Sequence, residues 1–350
     1  MPGRRRAPQP DHALQLDGMI IRQLAPRSWT DDELIALYAR VNNAGRWGPD
    51  DELGTLNHIT PEKRAAAAAL VRVGRTVSLA LPLAPGAGAK VGAFLDHTMQ
   101  YGRSPLATSA GDHISLDVHQ PAATHLDCVS HLAGYDGRVY NDRRFDDVAQ
   151  PAGLTHGSVF VQRCGIFTRG VLLDLAATQE VAHLQPAHAI TAVELDAAER
   201  HAGVRVSTGD ALILRVGAEL LDAQGRSGLR PGPGPDAVEW MHQREIAMYG
   251  GDAADHIGQL AASLFGRERP PEEPEEPPTR VPLPVHQIGI PAMGLVLLDQ
   301  CAVEGSPRPA RSCAATSSCS SPRRCRSRAA PDPRSTRSPS SDRPPSDLAG

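Results

Sequence analysis

The chain has 350 residues, with 36 Lys and Arg against 40 Asp and Glu for a formal charge of −4. That length suits one large domain or two small ones around a sizeable core, and the near-neutral balance gives no electrostatic case for nucleic acid. No stretch approaches the length of a membrane span, and the polar, Pro-containing residues 7–16 after Arg4-Arg5-Arg6 lack the apolar core of a secretory signal, so a cytoplasmic protein is expected.

Residues 1–28 are polar and Pro-rich and are expected to form a disordered extension ahead of a domain over residues 29–304. Thr30-Asp31-Asp32-Glu33 predicts an amphipathic helix to about Val41, with Thr30 as N-cap and Glu33 as its capping-box partner. Thr60-Pro61-Glu62-Lys63 opens a second helix, with Pro61 in its first turn, continuing to Val73 until Gly74 stops it. Residues 76–83 read as a strand, and residues 111–118 alternate loosely. Residues 171–175 and 211–216 read as buried strands, separated by a helix that Thr191 caps and Gly203 ends. Residues 270–278, with four glutamates and five prolines, read as a solvated loop. Pro282, Pro284 and Pro291 forbid a claim of helical periodicity around residues 281–300. Strands alternating with helices argue for a mixed α/β domain. Neither common Gly-rich phosphate loop occurs, and no Gly-x-Ser-x-Gly elbow supports a serine hydrolase.

The chemistry concentrates in Ala123-Thr124-His125-Leu126-Asp127-Cys128-Val129-Ser130-His131, with His119 just upstream. His125 and Asp127 are two apart, so an extended segment points both to one side, and His131 follows after a short bend. Neutral imidazoles with a carboxylate suit zinc, manganese or iron better than magnesium or calcium. The bland alternative is a His-rich surface loop. The six cysteines show no CxxC spacing, so disulfides and thiolate metal sites are not expected, and Cys128 reads as a small packing residue.

These residues resemble the hallmark His-x-Gly-Thr-His-x-Asp-x-Pro-x-His of the cyclase family, which includes bacterial kynurenine formamidases and isatin hydrolases; the match is to Thr124, His125, Asp127 and His131. Four further blocks are similar to segments of the family's longer branch, in the family's order. They are Arg46-Trp47-Gly48-Pro49-Asp50-Asp51-Glu52-Leu53-Gly54-Thr55-Leu56-Asn57, Gly209-Asp210-Ala211-Leu212-Ile213-Leu214-Arg215, Glu239-Trp240-Met241-His242-Gln243-Arg244-Glu245-Ile246-Ala247 and Pro282-Leu283-Pro284-Val285-His286-Gln287. The sequence departs from the hallmark at Ala123 and Val129, and Pro121 stands where the first histidine is expected, leaving His119 as the natural substitute.

The resemblance implies a swivelling β/β/α-type single domain, a homodimer, and one or two zinc or manganese ions held by His119, His125, Asp127, His131, His286 and Asp299. The family has glutamate where Asp299 stands. His131 is the candidate proton shuttle, and His242 and Trp47 are candidates to line a substrate pocket. The implied activity is metal-dependent hydrolysis of a small molecule's carbonyl group (amide, lactam, formamide or ester), on C–N bonds other than peptide bonds. Two alternatives are a polyketide-type cyclase or dehydratase and a non-catalytic small-molecule binder, the latter favoured by Pro121 and Val129.

From about Gly305 the composition turns abruptly to Arg, Ser, Pro and Ala. The conventional reading is a disordered tail over residues 305–350. Back-translation offers a sharper one. GC-rich codons for residues 316–341, read from the third base of each, permit Glu-Phe-Leu-Leu-Val-Ala-Ala-Pro-Leu-Pro-Ile-Pro and then Arg-Gly-Thr-Gly-Ser-Pro-Val-Asn-Pro-Ile-Ala-Val-Phe, with a stop codon permitted at Asp342. This decoded string is similar to the family's terminal strand and places a reading-frame slip between Asp299 and Thr316. Cys313, Cys319 and Cys325 are then accidents of translation.

Overall fold

The structure is a computed structural model that describes residues 27–83, 95–120, 122–224, 229–258 and 279–304, together with the backbone of two short antiparallel strands, Leu14–Leu16 and Met19–Ile21. The rest of the N-terminal extension, Pro121, the Pro-Glu loop at 270–278 and the tail at 305–350 lie outside the described residues.

The elements that build the site are, in chain order, α1 (Asp31–Arg40), α2 (Pro61–Ala68), the hairpin β1 (Leu95–Arg103) and β2 (Thr108–Leu116), β3 (His125–Asp127), β4 (Gly170–Asp174), α3 (Ala192–Ala202), β5 (Ala211–Arg215), α4 (Pro235–Gln243), β6 (Met248–Gly251), a π-helical segment α5 (Val285–Met293) and β7 (Val296–Asp299). Five strands form one sheet in the order β4-β5-β6-β7-β3; the first four run parallel and β3 is antiparallel to β7. Every residue of β5 is buried, as expected for a parallel strand covered on both faces. On one face α1, α3, α4 and α5 contribute Leu37, Leu195, Met241 and Ile288 to the main core with Leu173, Leu212, Leu214 and Leu297 from the strands. A smaller cluster joins Leu56, Ile59, Val129 and Tyr140 to Ala211, Met248 and Val296.

Both capping boxes form as the sequence dictates. Thr30 Oγ1 accepts from the Glu33 amide and Thr191 Oγ1 from the Glu194 amide, while each glutamate accepts from the amide of its threonine. Two local expectations are corrected. The second helix stops at Ala68 instead of reaching Val73, because Val71 and Val73 find no core and stay exposed. Residues 76–83 are not a strand. Their backbone has isolated anchors: the Leu79 carbonyl accepts from the Ala302 amide at 2.8 Å, and the Leu81 amide donates to Thr124 Oγ1 at 2.8 Å. A strand needs a ladder of bonds to a partner, and among the described residues none forms one with this segment.

Gly54 and Gly294 bring two backbones into contact behind the sheet. Gly54 has φ +57°, and a Cβ there would lie 2.1 Å from the Gly294 carbonyl oxygen. Gly54→Ala is therefore expected to destabilise by at least the roughly 1–3 kcal/mol of a strained left-handed residue, read by denaturant unfolding. An unchanged midpoint would mean the two backbones do not approach as described.

Candidate metal centre

The site forms where β3 pairs with the end of β7. Antiparallel register sets His125 opposite Asp299 and Asp127 opposite Leu297, so two donors from the motif meet one from the last strand. Thr124 fixes this corner, its hydroxyl donating to the Gln300 carbonyl at 2.5 Å. The hairpin returns the chain to His119, and a tight turn, His131 N–H to the Cys128 carbonyl, folds His131 back over the same point.

Asp127 is the centre. It is fully buried, and among the described residues neither carboxylate oxygen has a hydrogen-bond partner. The Nε2 atoms of His119, His125 and His131 lie 3.3, 3.6 and 3.7 Å from Oδ1, and His286 Nε2 lies 3.6 Å from Oδ2. Two groups of donor atoms lie within 4.8 Å of one another, His119-Asp127-His131 and His125-Asp127-Asp299, and they share Asp127. The His119 and His131 rings stack at 4.2 Å. His286 thus arrives beside residues more than 150 positions earlier in the chain, carried there by α5.

Burial disfavours the Asp127 carboxylate anion, yet the surrounding imidazoles outweigh that and hold its pKa well below the usual range. Burial lowers the His131 pKa to about 4 despite the attraction of Asp127, so its ring is neutral at neutral pH. His286 moves the other way, to about 10, because the nearby Asp127 carboxylate and its bond to Asp255 overcome its burial. Burial also raises Asp299. A cluster this rich in nitrogen and oxygen donors around a bare, buried carboxylate fits a divalent cation of the zinc, manganese or iron type. His125 agrees with this: its Nδ1 lies 2.8 Å from the Ala123 carbonyl, a bond in which Nδ1–H donates and Nε2 stays free for a ligand. Ala123 itself, where the family hallmark has glycine, is buried, as is Val129.

Trp47 and His242 occupy a different neighbourhood. Trp47 packs edge-on against His58 at 5.1 Å, and His242 Nε2 is 3.3 Å from Asn43 Oδ1. Trp47 also packs against the smaller cluster that contains Leu56, Ile59, Ala211, Met248 and Val296, whereas Asp299 is the last residue of β7. The carboxylates Asp51 and Glu52 are structural: Asp51 accepts from the Gly54 amide, Asn57 and the Tyr140 hydroxyl, and Glu52 accepts from the Gly157 amide.

Sequence reasoning missed Asp255, whose Oδ2 lies 2.6 Å from His286 Nδ1. Its surroundings, Gly250-Gly251-Asp252-Ala253-Ala254-Asp255-His256, carry no spacing that points to His286.

A family model described as "Putative cyclase" matches residues 56–256, which contain the motif but neither His286 nor Asp299. Among solved structures, one described as a novel cyclase is similar with a TM-score of 0.61 and 26% identity, covering 76% of this chain and 87% of that one. An isatin hydrolase bound to a product analogue, thioisatinate, is more distant, with a TM-score of 0.41 and 19% identity over 65% of this chain and 79% of that one. A search of curated proteins found no match.

Proposed function

The chain belongs to the cyclase family, and from that premise we propose that it is a metal-dependent hydrolase of small molecules, acting on an amide, lactam, formamide or ester carbonyl and, within that range, on C–N bonds other than peptide bonds. The observation that carries this reading is the buried Asp127 carboxylate, bare of hydrogen bonds and faced by four imidazole Nε2 atoms.

His119, Asp127 and His131 would hold one ion, and His125, Asp127 and Asp299 would hold a second, with His286 as a further donor beside Oδ2 of Asp127. Zinc or manganese is the proposed metal. When bound, such an ion supplies activated water at neutral pH and polarises a carbonyl oxygen. The chain's own residues supply the rest. Asp127 anchors the charge from a position that water cannot reach. His131, neutral and partly open to solvent, has one unprotonated ring nitrogen, which can serve either as a ligand or as a proton acceptor; with the ion held by the other donors, that nitrogen would accept a proton and return it to the leaving nitrogen or oxygen. Asp299 is one methylene shorter than the family's glutamate, so it reaches the site only because its strand pairs directly with His125.

The proposed protein is a cytoplasmic homodimer, with neither nucleic acid nor membrane as partner. No described helix is long and apolar enough to cross a membrane. Support for self-association comes from the hairpin, whose strands place Met99, Tyr101 and Ile114, all exposed, on one face. A two-stranded ribbon is marginally stable alone, and a second copy would cover that face.

Metal analysis separates the enzyme from the non-catalytic binder. One or two divalent ions per chain, loss of turnover with a chelator and recovery with Zn2+ or Mn2+ are expected. No metal after reconstitution would favour the binder. A panel of cyclic amides, arylformamides and esters then identifies the substrate class, and a dehydrated, ring-closed product would favour the cyclase alternative.

A further inference from the structure

Resting on the hydrolase reading above, we propose that Asp255 is a positioning residue that fixes the His286 ring so that Nε2 faces the metal centre. Its carboxylate is buried and takes three bonds from two consecutive residues. The Val285 amide donates to Oδ1 at 2.7 Å, the His286 amide to Oδ2 at 3.0 Å, and the His286 ring nitrogen Nδ1 meets the same Oδ2 at 2.6 Å.

An imidazole presents two nitrogens and turns freely about its side-chain torsions. With Nδ1–H held on a carboxylate, the opposite nitrogen has one direction left, and here that direction is Asp127 Oδ2, 3.6 Å away. The amides at the start of a helical segment have no partners within it, so the same carboxylate also anchors the turn from which His286 projects.

The carboxylate is itself immobilised. The Arg230 amide donates to the Ile257 carbonyl at 3.1 Å, and the Ile257 amide returns a bond to Arg230 at 2.9 Å. On the facing segment Gly232 lies so close that an added Cβ would sit 2.2 Å from the Asp255 carbonyl carbon. Two residues upstream of Asp255, the Ala253 carbonyl accepts from the Tyr249 hydroxyl at 2.6 Å. Asp255 therefore transmits a rigid backbone position to a ring that arrives from a separate part of the chain.

The competing view is that Asp255 only caps the turn. A double-mutant cycle of Asp255→Asn and His286→Ala in the full chain separates the two, with Zn2+ affinity and melting temperature read for all four proteins. Asp255→Asn is expected to weaken Zn2+ about 10–100-fold, the usual range for a ligand's hydrogen-bond partner, and to change nothing further once His286 is Ala. A capping contribution lowers the melting temperature in both backgrounds. A second readout needs no metal: the Nδ1 proton, held at 2.6 Å from a carboxylate, should give a downfield, slowly exchanging proton resonance that both single variants lose. Equal loss of Zn2+ affinity with and without His286, unchanged affinity, or absence of that resonance in the parent protein would overturn the proposal. If the parent binds no Zn2+, the hydrolase reading fails, and the resonance alone then decides whether Asp255 orients His286.

Discussion

Asp127→Asn should abolish hydrolysis and metal retention while the protein remains folded. Asn has nearly the volume of Asp, so the corner between β3 and β7 keeps its packing. It loses the only anion shared by the two donor groups. Removing one partner of a buried ion pair commonly costs about 3–5 kcal/mol because a charge is stranded. That cost is largely avoided here. The partners are imidazoles, and Asp127 raises the pKa of His119 and, together with Asp255, that of His286, so without it each gives up a proton more readily. The variant should melt close to the parent in the metal-free state and should lose the metal-dependent rise in melting temperature. Near-normal turnover with metal still bound would rule out a central role for Asp127.

Parts of this site were legible because they are local. The spacing of His125, Asp127 and His131 needs only an extended segment and one bend, and a capping box announces α1 and α3 from four residues each. His286 and Asp299 were legible only through resemblance, since no periodicity places residue 286 beside residue 127. The α5 segment explains why. Val285, Ile288, Gly289, Ile290, Pro291, Ala292 and Met293 are all buried, so apart from His286 and Gln287 the helix has no polar residue to mark its period. Pro291 within it argues against a helix by local rules, and the surrounding core overrides them. Asp255 was invisible for a related reason: its role is fixed by backbone contacts at Arg230 and Gly232, which a linear reading cannot bring together. The missing strand at residues 76–83 is a different kind of failure. Its sequence favours a strand, but a ladder requires a partner, and the segment's described neighbour is the stretch at Cys301 and Ala302.

Restoring the shifted reading frame after that stretch should raise both melting temperature and solubility. The chain is packed as far as Glu304: Cys301 and Val303 are buried against Ile213 and Leu79, and Glu304 bonds the Arg215 guanidinium at 2.9 Å. The Ala302 amide to Leu79 carbonyl bond shows that the backbone leaves the core alongside residues 76–83, where Val77 and Leu83 are exposed. The decoding that codons for residues 316–341 permit carries Phe, Leu, Leu and Val in succession, a composition suited to a strand that would pair with such a segment and cover it. Each of those side chains contributes about 1.5–3 kcal/mol when buried, against a net stability of about 5–15 kcal/mol for a whole domain. Ordering the added strand offsets much of that gain; a net increase of about 3 kcal/mol would correspond to roughly 6–12 °C in melting temperature. An uncovered edge also recruits other chains, so aggregation at a given concentration should fall. Deleting residues 305–350 is the control, expected to leave the melting temperature of the present chain unchanged. A restored protein that melts with the parent, or a truncation that melts well below it, would defeat the frameshift account.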